Sequence, residues 1–175
     1  MKKFVVILSI PVLILAACMG CSSNTPFKGE ELPESPPDSC PVTGAPQPRF
    51  TPPSPFPRWP DNRSFWYGTP ELWTAVPVSH SWENLPHDEH GYTQKVLWWN
   101  ENYFWRNEPQ PDLMVTGKRL DAPAPPLVAY KATNGFHGTL QSFILVGVEI
   151  PTPGCWEITA EYKGDELSFV VWVAP

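Results

Sequence analysis

The chain has 175 residues and a formal net charge of −6, with 24 prolines, nine tryptophans and four cysteines. Its length suits one domain, and its acidic balance argues against a nucleic-acid partner and against electrostatic adhesion to anionic lipid. No catalytic, cofactor-binding or metal-binding motif stands out. We therefore expect a protein that is not an enzyme and that holds neither a cofactor nor a metal.

The chain begins with the features of a secretory signal peptide over residues 1–17. Lys2 and Lys3 form a short positive start, an apolar run of 14 residues follows, and small residues precede Cys18. A transmembrane anchor would need ~20 apolar residues, and Pro11 interrupts this shorter run. The other alternative is an ordinary signal peptide with cysteines nearby.

Leu15-Ala16-Ala17-Cys18 resembles the lipobox of a bacterial lipoprotein signal. The resemblance implies that Cys18 receives a diacylglyceryl thioether, carries further fatty acid such as palmitate, and becomes the mature N-terminus. Two or three acyl chains anchor a protein firmly. We therefore expect a lipid-anchored protein on the extracytoplasmic face of the cell membrane or the outer membrane. Met19 stands where an Asp often signals inner-membrane retention, which favours the outer membrane where a host has one.

Residues 18–62 form a proline-rich tether and arm. Twelve prolines lie between Pro26 and Pro60, and hydrophobic periodicity is nearly absent. This composition predicts an extended polyproline-II spacer, with a ligand for proline-binding modules as the alternative.

Residues 63–175 are predicted to form an all-β domain. Aromatic and β-branched residues fill short runs between turn residues, and no window of 11 residues has a helical period. About seven strands at this spacing are typical of an immunoglobulin-like β-sandwich, with a small barrel or jelly roll as the alternative. The predicted strands are residues 64–68, 71–76, 92–99, 112–120, 140–150, 155–162 and 166–173.

The clearest predicted element is the C-terminal hairpin. Apolar residues from Trp156 to Tyr162 alternate with polar ones, so one face of this strand belongs to the core. Lys163-Gly164-Asp165 supplies the turn. Upstream, Gly117 indicates a bulge in its strand and Asn134-Gly135 indicates a turn.

Pro153-Gly154-Cys155-Trp156 resembles the start of the penultimate strand in many bacterial immunoglobulin-like domains. Other short motifs accompany it in order: Phe65-Trp66-Tyr67-Gly68, Lys95-Val96-Leu97-Trp98-Trp99, Thr116-Gly117-Lys118-Arg119-Leu120-Asp121 and Leu167-Ser168-Phe169-Val170-Val171. Together they resemble a group of uncharacterised bacterial lipoproteins with a C-terminal immunoglobulin-like domain. The resemblance covers Phe65 to Val173 and implies this fold and export, but no activity.

Cys40 and Cys155 are the two cysteines beyond the signal region. An exported protein with such a pair is expected to form a disulfide, with two free or metal-binding thiols as the alternative. Cys155 lies on the strand face opposite Trp156, so its partner must approach from outside the sheet. Cys40 lies on the arm and can do so.

The disulfide is therefore predicted to hold the arm against the outer face of the hairpin. Residues 22–39 would then be the free tether. The rest of the arm would cover the two apolar residues on that face. The predicted arm contacts are Phe50, Phe56 and Trp59, and the residues that they would cover are Val170 and Trp172.

The candidate ligand contacts are Trp98, Trp99, Trp105, Lys118 and Arg119. Trp98 and Trp99 are adjacent in a strand, so one faces the core and the other can stack on a sugar ring. The alternative is that the tryptophans pack in the core or under the arm. Lys118 and Arg119 lie beside Asp121, and together with Lys95 on another strand they form either a salt-bridged cluster or an anion site.

His87-Asp88-Glu89-His90 has two imidazoles three residues apart and no evident third ligand, so we predict a solvated turn there rather than a metal site. The expected function is a lipid-anchored binding or structural module of the bacterial cell envelope, with the membrane and an envelope protein as partners. A glycan-binding module that uses exposed tryptophans is the alternative. A small hydrolase with an unrecognised site is the third candidate.

Overall fold

The computed structural model describes residues 32–175; the predicted signal peptide and Cys18 lie outside this range. The described chain is all-β and forms two sheets. Its eleven strands are β1 (Ser64–Thr69), β2 (Leu72–Pro77), β3 (Ser81–Trp82), β4 (His87–Asp88), β5 (Gly91–Trp99), β6 (Met114–Arg119), β7 (Val128–Ala129), β8 (Thr133–His137), β9 (Gln141–Ile150), β10 (Gly154–Tyr162) and β11 (Asp165–Val173).

The seven predicted strands correspond to β1, β2, β5, β6, β9, β10 and β11, with ends that differ by at most two residues. The expected count of about seven is too low. Three of the additional strands, β3, β4 and β7, have two residues each and are too short to produce a period-two pattern.

The fourth additional strand, β8, contains Asn134-Gly135, so the prediction of a turn there is wrong. Gly135 pairs with Phe143 of β9. A Cβ at Gly135 would overlap the Phe143 ring, so glycine is required by the close approach of that ring rather than by a turn.

The two sheets have the connectivity of an immunoglobulin-like sandwich. In the first sheet, β5 and β9 pair antiparallel, β7 and β8 flank β9, and β4 and the β1–β2 hairpin flank β5. The second sheet has the order β3-β11-β10-β6, with β3 parallel to β11. Strands β5 and β9 thus occupy positions B and E, and β6, β10 and β11 occupy positions C, F and G.

The core lies between the sheets and follows the predicted alternation. In β9 every second residue from Ser142 to Ile150 is buried, and its neighbours are half-exposed. In β10 the apolar residues from Trp156 to Tyr162 are fully buried, as predicted. The β10–β11 hairpin turns at Lys163 and Gly164, which both have positive φ, a pattern typical of a type I′ turn.

The predicted bulge at Gly117 is absent. The register between β6 and β10 runs without interruption from Arg119 opposite Trp156 to Met114 opposite Glu161. Gly117 is instead a close-contact position. A Cβ there would lie 3.1 Å from the Leu127 side chain, and the Leu127 N–H donates to the Gly117 carbonyl at 3.2 Å.

The predicted disulfide is present and holds the arm against the C-terminal hairpin. Cys40 and Cys155 have Cα atoms 5.6 Å apart and are separated by 115 positions in sequence. Next to it, the Thr43 N–H donates to the Val170 carbonyl at 2.9 Å, and the Thr43 hydroxyl accepts from the Val170 N–H at 2.8 Å. The arm therefore shields part of the edge of β11 as well as its face.

Contact between the arm and the domain begins earlier than predicted. Leu32 packs against the buried cluster that contains Trp172, and the Trp172 indole N–H donates to the Pro33 carbonyl at 3.1 Å. Residues 32–39 are thus not free tether. The disulfide alone does not cover the whole Trp172 ring. The first described residues of the arm cover the rest of it.

The second half of the arm crosses to the other sheet. Phe50 and Phe56 pack edge-on against Trp73 of β2, with ring centroids 5.9 and 5.0 Å apart, whereas Trp59 is 45% exposed. The prediction that these three aromatics cover the terminal hairpin is wrong. The outer face of the first sheet carries a cluster of three tryptophans, Trp66, Trp73 and Trp99. This face therefore has more apolar surface to bury than the outer face of the terminal hairpin.

Candidate functional site

Most tryptophans of this chain are structural. Seven of the nine are buried, and Trp98 and Trp99 are among them. As predicted, these two face opposite sides: Trp98 lies in the core near Phe169, at 5.9 Å, and Trp99 lies on the outer face. Trp99 is nevertheless inaccessible to a sugar ring because Trp66 packs on it at 4.8 Å and Phe143 at 6.1 Å. Neither residue can serve as a ligand platform in this structure.

Trp105 is half-buried in the loop between β5 and β6. Its ring stacks on Phe136 at 5.8 Å and has the Arg106 guanidinium 5.0 Å from its centroid. The Asn134 amide donates to its carbonyl at 2.8 Å. A ligand that stacked on Trp105 would have to compete with these neighbours.

A polar cluster fixes the same loop to the β10–β11 turn. The Glu108 carboxylate accepts from the Tyr162 hydroxyl and from the Lys163 ammonium, both at 2.8 Å. Partial burial opposes ionisation of Glu108, but these two hydrogen bonds outweigh it and hold the pKa of Glu108 below its usual value. Burial raises the pKa of the neighbouring Tyr103 to about 12, so that phenol stays neutral.

The candidate cations Lys118 and Arg119 both have carboxylate partners. Arg119 forms two hydrogen bonds with Asp121, at 2.7 and 3.2 Å, and Lys118 pairs with Glu157 at 2.8 Å. Asp121 also accepts from the Cys155 N–H at 3.1 Å. Burial opposes ionisation, yet the Arg119 bonds and this N–H hold the pKa of Asp121 below its usual value. The salt-bridged alternative therefore describes this pair better than the anion site.

The histidine-containing segment lies at the β4–β5 turn and is exposed. The His87 ring packs beside Tyr92 at 5.3 Å, and His90 lies 3.7 Å from Glu89. Within residues 32–175 no three or more metal-ligating side chains converge on a common point.

The strongest candidate site is an opening in the first sheet. Strand β2 pairs with β5 only where Trp73 and Thr74 lie opposite Trp99 and Trp98, and β4 pairs only with the first two residues of β5. Between these pairings β2 turns away. A cavity of about 300 Å³ opens there, beside residues 94–97.

A second cavity of about 360 Å³ continues from the first along the outer face. The two cavities share Gln94 and Lys95, and we call them together the β5 groove. The first is lined by Pro60, Asp61, Ser64, Ala75, Pro77, Trp82, Val96, Leu97, Trp99 and Leu140, and the second by Pro86, Thr93, Tyr130, Gly147 and Val148. The arm therefore forms one wall of the groove, and Tyr130 forms the opposite end.

Local contacts fix the polar groups of the groove. The Gln94 side chain accepts from the Lys95 N–H at 2.8 Å and so satisfies a donor on the flank of β5. The Thr74 hydroxyl donates to the Leu97 carbonyl at 2.8 Å. Within the described chain, no carboxylate lies within 4 Å of the Lys95 ammonium. The groove thus contains one cation without an ion-pair partner, Lys95, and one carboxylate, Asp61, among mainly apolar lining residues.

Tyr130 is the exposed aromatic residue of the groove. Its ring lies on Gly147, where a Cβ would be 3.1 Å away, and its hydroxyl donates to Glu149. The ring is 54% exposed, so its outer surface is accessible.

Comparisons with models of protein families, with curated proteins and with solved structures find no significant match for this chain. Nowhere in residues 32–175 does a helix occur that is long and apolar enough to cross a membrane.

The sequence predicts two residues that line the β5 groove as possible ligand contacts, Trp99 and Lys95. The prediction groups Lys95 with Lys118 and Arg119, but Lys95 lies in the other sheet. The groove brings together the arm, β2, β5, the residue after β7 and β9, which are up to 88 positions apart, and no local motif marks such a combination. No sequence signal indicates Tyr130, because the neighbouring strand β7 has two residues and leaves no pattern.

Proposed function

We propose that this protein is a lipid-anchored binding or structural module of the bacterial cell envelope and that the β5 groove holds an extended segment of an envelope protein. Acylation of Cys18 would display the domain on the extracytoplasmic face of the cell membrane or the outer membrane. The observation that carries the proposal is the open flank of β5, next to a part of the outer face where the arm covers Trp66, Trp73 and Trp99.

The open flank suits an extended peptide for two reasons. Backbone groups along this flank can add a further strand by main-chain hydrogen bonds when the Gln94 and Thr74 side chains release the Lys95 N–H and the Leu97 carbonyl. Ala75, Leu97 and Gly147 leave apolar space beside that flank for alternate side chains of such a segment. Lys95 would favour a segment with an acidic residue.

The polar groups of the groove support binding rather than proton transfer. Gln94 is bonded to backbone, and Tyr130 to Glu149. The Asp61 carboxylate accepts from the Arg63 N–H at 2.7 Å. Side chains held by such hydrogen bonds keep the binding surface in a fixed shape, but they have little freedom to act as a general acid or base.

Site-specific photo-crosslinking in cells tests the groove. A photoreactive residue at position 95 should give one dominant protein adduct, and Ala75→Arg, which fills the first cavity, should abolish that adduct. The control places the same probe at Thr116, which is exposed on the outer face of the second sheet. Equal adducts from both positions, or an adduct that survives Ala75→Arg, would contradict the proposal.

Metabolic labelling with palmitate tests the anchor separately. Cys18→Ser should remove the label from the protein. Cys21→Ser is the matched control because it changes a neighbouring cysteine outside the lipobox pattern, and it should leave labelling intact. If Cys18→Ser retained the label, the proposed lipid anchor would be wrong, but the proposal for the β5 groove would be unaffected.

A glycan is the second candidate ligand, and Tyr130 favours it. An exposed aromatic ring fixed against a glycine is a surface on which a sugar ring can stack. A glycan that stacks on Tyr130 and extends along the groove would reach the first cavity, which Trp82 and Trp99 line, so intrinsic fluorescence should report on its binding. Envelope glycans should shift the emission, Tyr130→Ala should abolish the shift, and Phe136→Ala, an exposed aromatic outside the groove, should not. Lack of any shift with wild-type protein argues against glycan binding.

A further inference from the structure

A second surface of the arm is positively charged, although the whole chain is acidic. Arg49 and Arg58 are both exposed there, and Asp61 is the acidic residue beside them. Within residues 32–175, neither of these two guanidinium groups lies within 4 Å of a carboxylate. The surface therefore carries a local excess of positive charge on a chain whose net charge is −6.

Trp59 lies at the centre of this surface. Its ring centroid is 5.3 Å from the Arg49 guanidinium carbon and 5.8 Å from that of Arg58, and the side chain is 45% exposed. Val78, 55% exposed, lines the same shallow cavity of about 440 Å³ together with Arg49 and Trp59. We call this surface the Trp59 patch: Arg49, Arg58, Trp59 and Val78.

This combination of groups matches the interface of a phospholipid bilayer. Guanidinium groups bind phosphate with two parallel hydrogen bonds, and arginine stems lie along apolar surface while their heads reach polar groups. Tryptophan is enriched where hydrocarbon meets headgroups. An anionic glycan or peptide would satisfy the arginines, but it would leave Trp59 and Val78 without an apolar partner.

We propose that the Trp59 patch faces the membrane and contacts the phosphate headgroups of anionic lipid. Lipid anchoring at Cys18, which belongs to the proposed function, would keep the patch near a bilayer. Leu32 follows Cys18 by 14 positions, and even a fully extended chain of that length spans at most ~50 Å. The acidic composition of the chain argues against electrostatic adhesion as a whole, whereas the folded arm presents a surface of the opposite sign.

Vesicle sedimentation tests the proposal with the chain from residue 18 onward, its disulfide intact and Cys18 and Cys21 replaced by serine. This chain should bind vesicles that contain phosphatidylglycerol and not vesicles of phosphatidylcholine alone. Arg49→Gln and Arg58→Gln should each lower the affinity for the anionic vesicles about fivefold. High salt should also lower the affinity of the wild-type chain for these vesicles. Brominated lipid should quench wild-type emission, and Trp59→Phe should remove most of that quenching.

Arg106→Gln is the matched control. Arg106 is also exposed and lies 5.0 Å from a tryptophan ring, but it belongs to the loop between β5 and β6. The proposal fails if Arg106→Gln weakens binding as much as Arg49→Gln does, if neutral and anionic vesicles bind equally, or if anionic vesicles do not bind. It also fails if a soluble phosphate-bearing glycan binds as tightly as the vesicles. None of these outcomes depends on acylation or on the β5 groove, which the labelling and crosslinking experiments test separately.

Discussion

Gly154 shows how a single backbone position joins two structural features. It begins β10 with φ at +137°, and a Cβ there would overlap the Arg119 guanidinium. The missing side chain lets Arg119 lie against the strand, bond Asp121, and reach the Thr152 hydroxyl at 3.2 Å. The Asp121 carboxylate then accepts the N–H of Cys155, the next residue.

Gly154→Ala should therefore destabilise the fold by about 1–3 kcal/mol because it combines backbone strain with displacement of Arg119. Urea denaturation measures the change. Gly138→Ala is the matched control, since a Cβ at Gly138 would meet no heavy atom within 4 Å and the φ of this residue is not positive. A loss in Gly138→Ala equal to that in Gly154→Ala would show that the close contact with Arg119 is unimportant.

Glu108 should make stability depend on pH. Its pKa in the folded protein lies below the ordinary value of 4.5 because Lys163 and Tyr162 bond the carboxylate despite partial burial. A depressed pKa contributes stability above the unfolded pKa, and this contribution disappears as pH falls through the folded pKa. Glu108→Gln should be less stable than wild type at pH 7, and the difference should disappear as the pH falls through the lowered pKa of Glu108 in the folded protein. Glu161→Gln, on the exposed face of β10, is the control and should match wild type throughout.

The arm is the element that sequence patterns described least well. It has no periodic pattern, yet it covers Trp172 on one sheet and Trp73 on the other. Two independent attachments hold it: the disulfide with the hydrogen bonds of Thr43, and the aromatic contacts of Phe50 and Phe56. Loss of one attachment should therefore leave the other in place.

Replacement of Cys40 and Cys155 by alanine tests this independence. The disulfide closes a loop of more than 100 residues, so its loss should lower the free energy of unfolding by roughly 4–5 kcal/mol through loop-closure entropy. Hydrogen exchange should show that the Thr43 amide loses protection, whereas the Phe56 amide, bonded to the Pro53 carbonyl at 3.0 Å, keeps it. Simultaneous loss at both amides would mean that the arm detaches as one unit.

At the scale of the whole molecule, the folded unit includes the arm. Residues 31–175 form one compact unit. The boundary inferred from composition, at residue 63, would leave Trp66, Trp73 and Trp172 without the arm that covers them. Each tryptophan exposed in this way forfeits about 1.5–3 kcal/mol of burial free energy.

A chain of residues 63–175 should therefore fail to unfold cooperatively and should bind a hydrophobic dye. A chain of residues 31–175 should keep the melting temperature of the chain that begins at residue 18. Thermal denaturation with size-exclusion chromatography measures both. A stable, monomeric chain of residues 63–175 would show that the arm is an accessory rather than a part of the fold.

The sequence alone was sufficient for the fold class, the seven longer strands and the C-terminal hairpin. In β10 and β11, burial of one face imposes alternation that is visible in single residues such as Trp156 and Phe169. The pairing of Cys40 with Cys155 could also be predicted from the sequence, because they are the two cysteines beyond the signal region and Cys155 lies on the strand face opposite Trp156.

The tertiary structure alone decided where the arm crosses the sheets, why Gly117 and Gly135 are glycines, and where the candidate sites lie. Trp99 and Trp59 illustrate the reason. Trp99 was a candidate ligand contact, but residues distant in sequence bury it. Trp59 was a candidate arm contact, but the packing of distant segments leaves it exposed. The β5 groove likewise exists only because β2 turns away from β5 after two paired positions. The alternation of apolar and polar residues along a strand is a local property. The burial of an outer-face side chain and the formation of a groove depend on packing between segments that are distant in sequence.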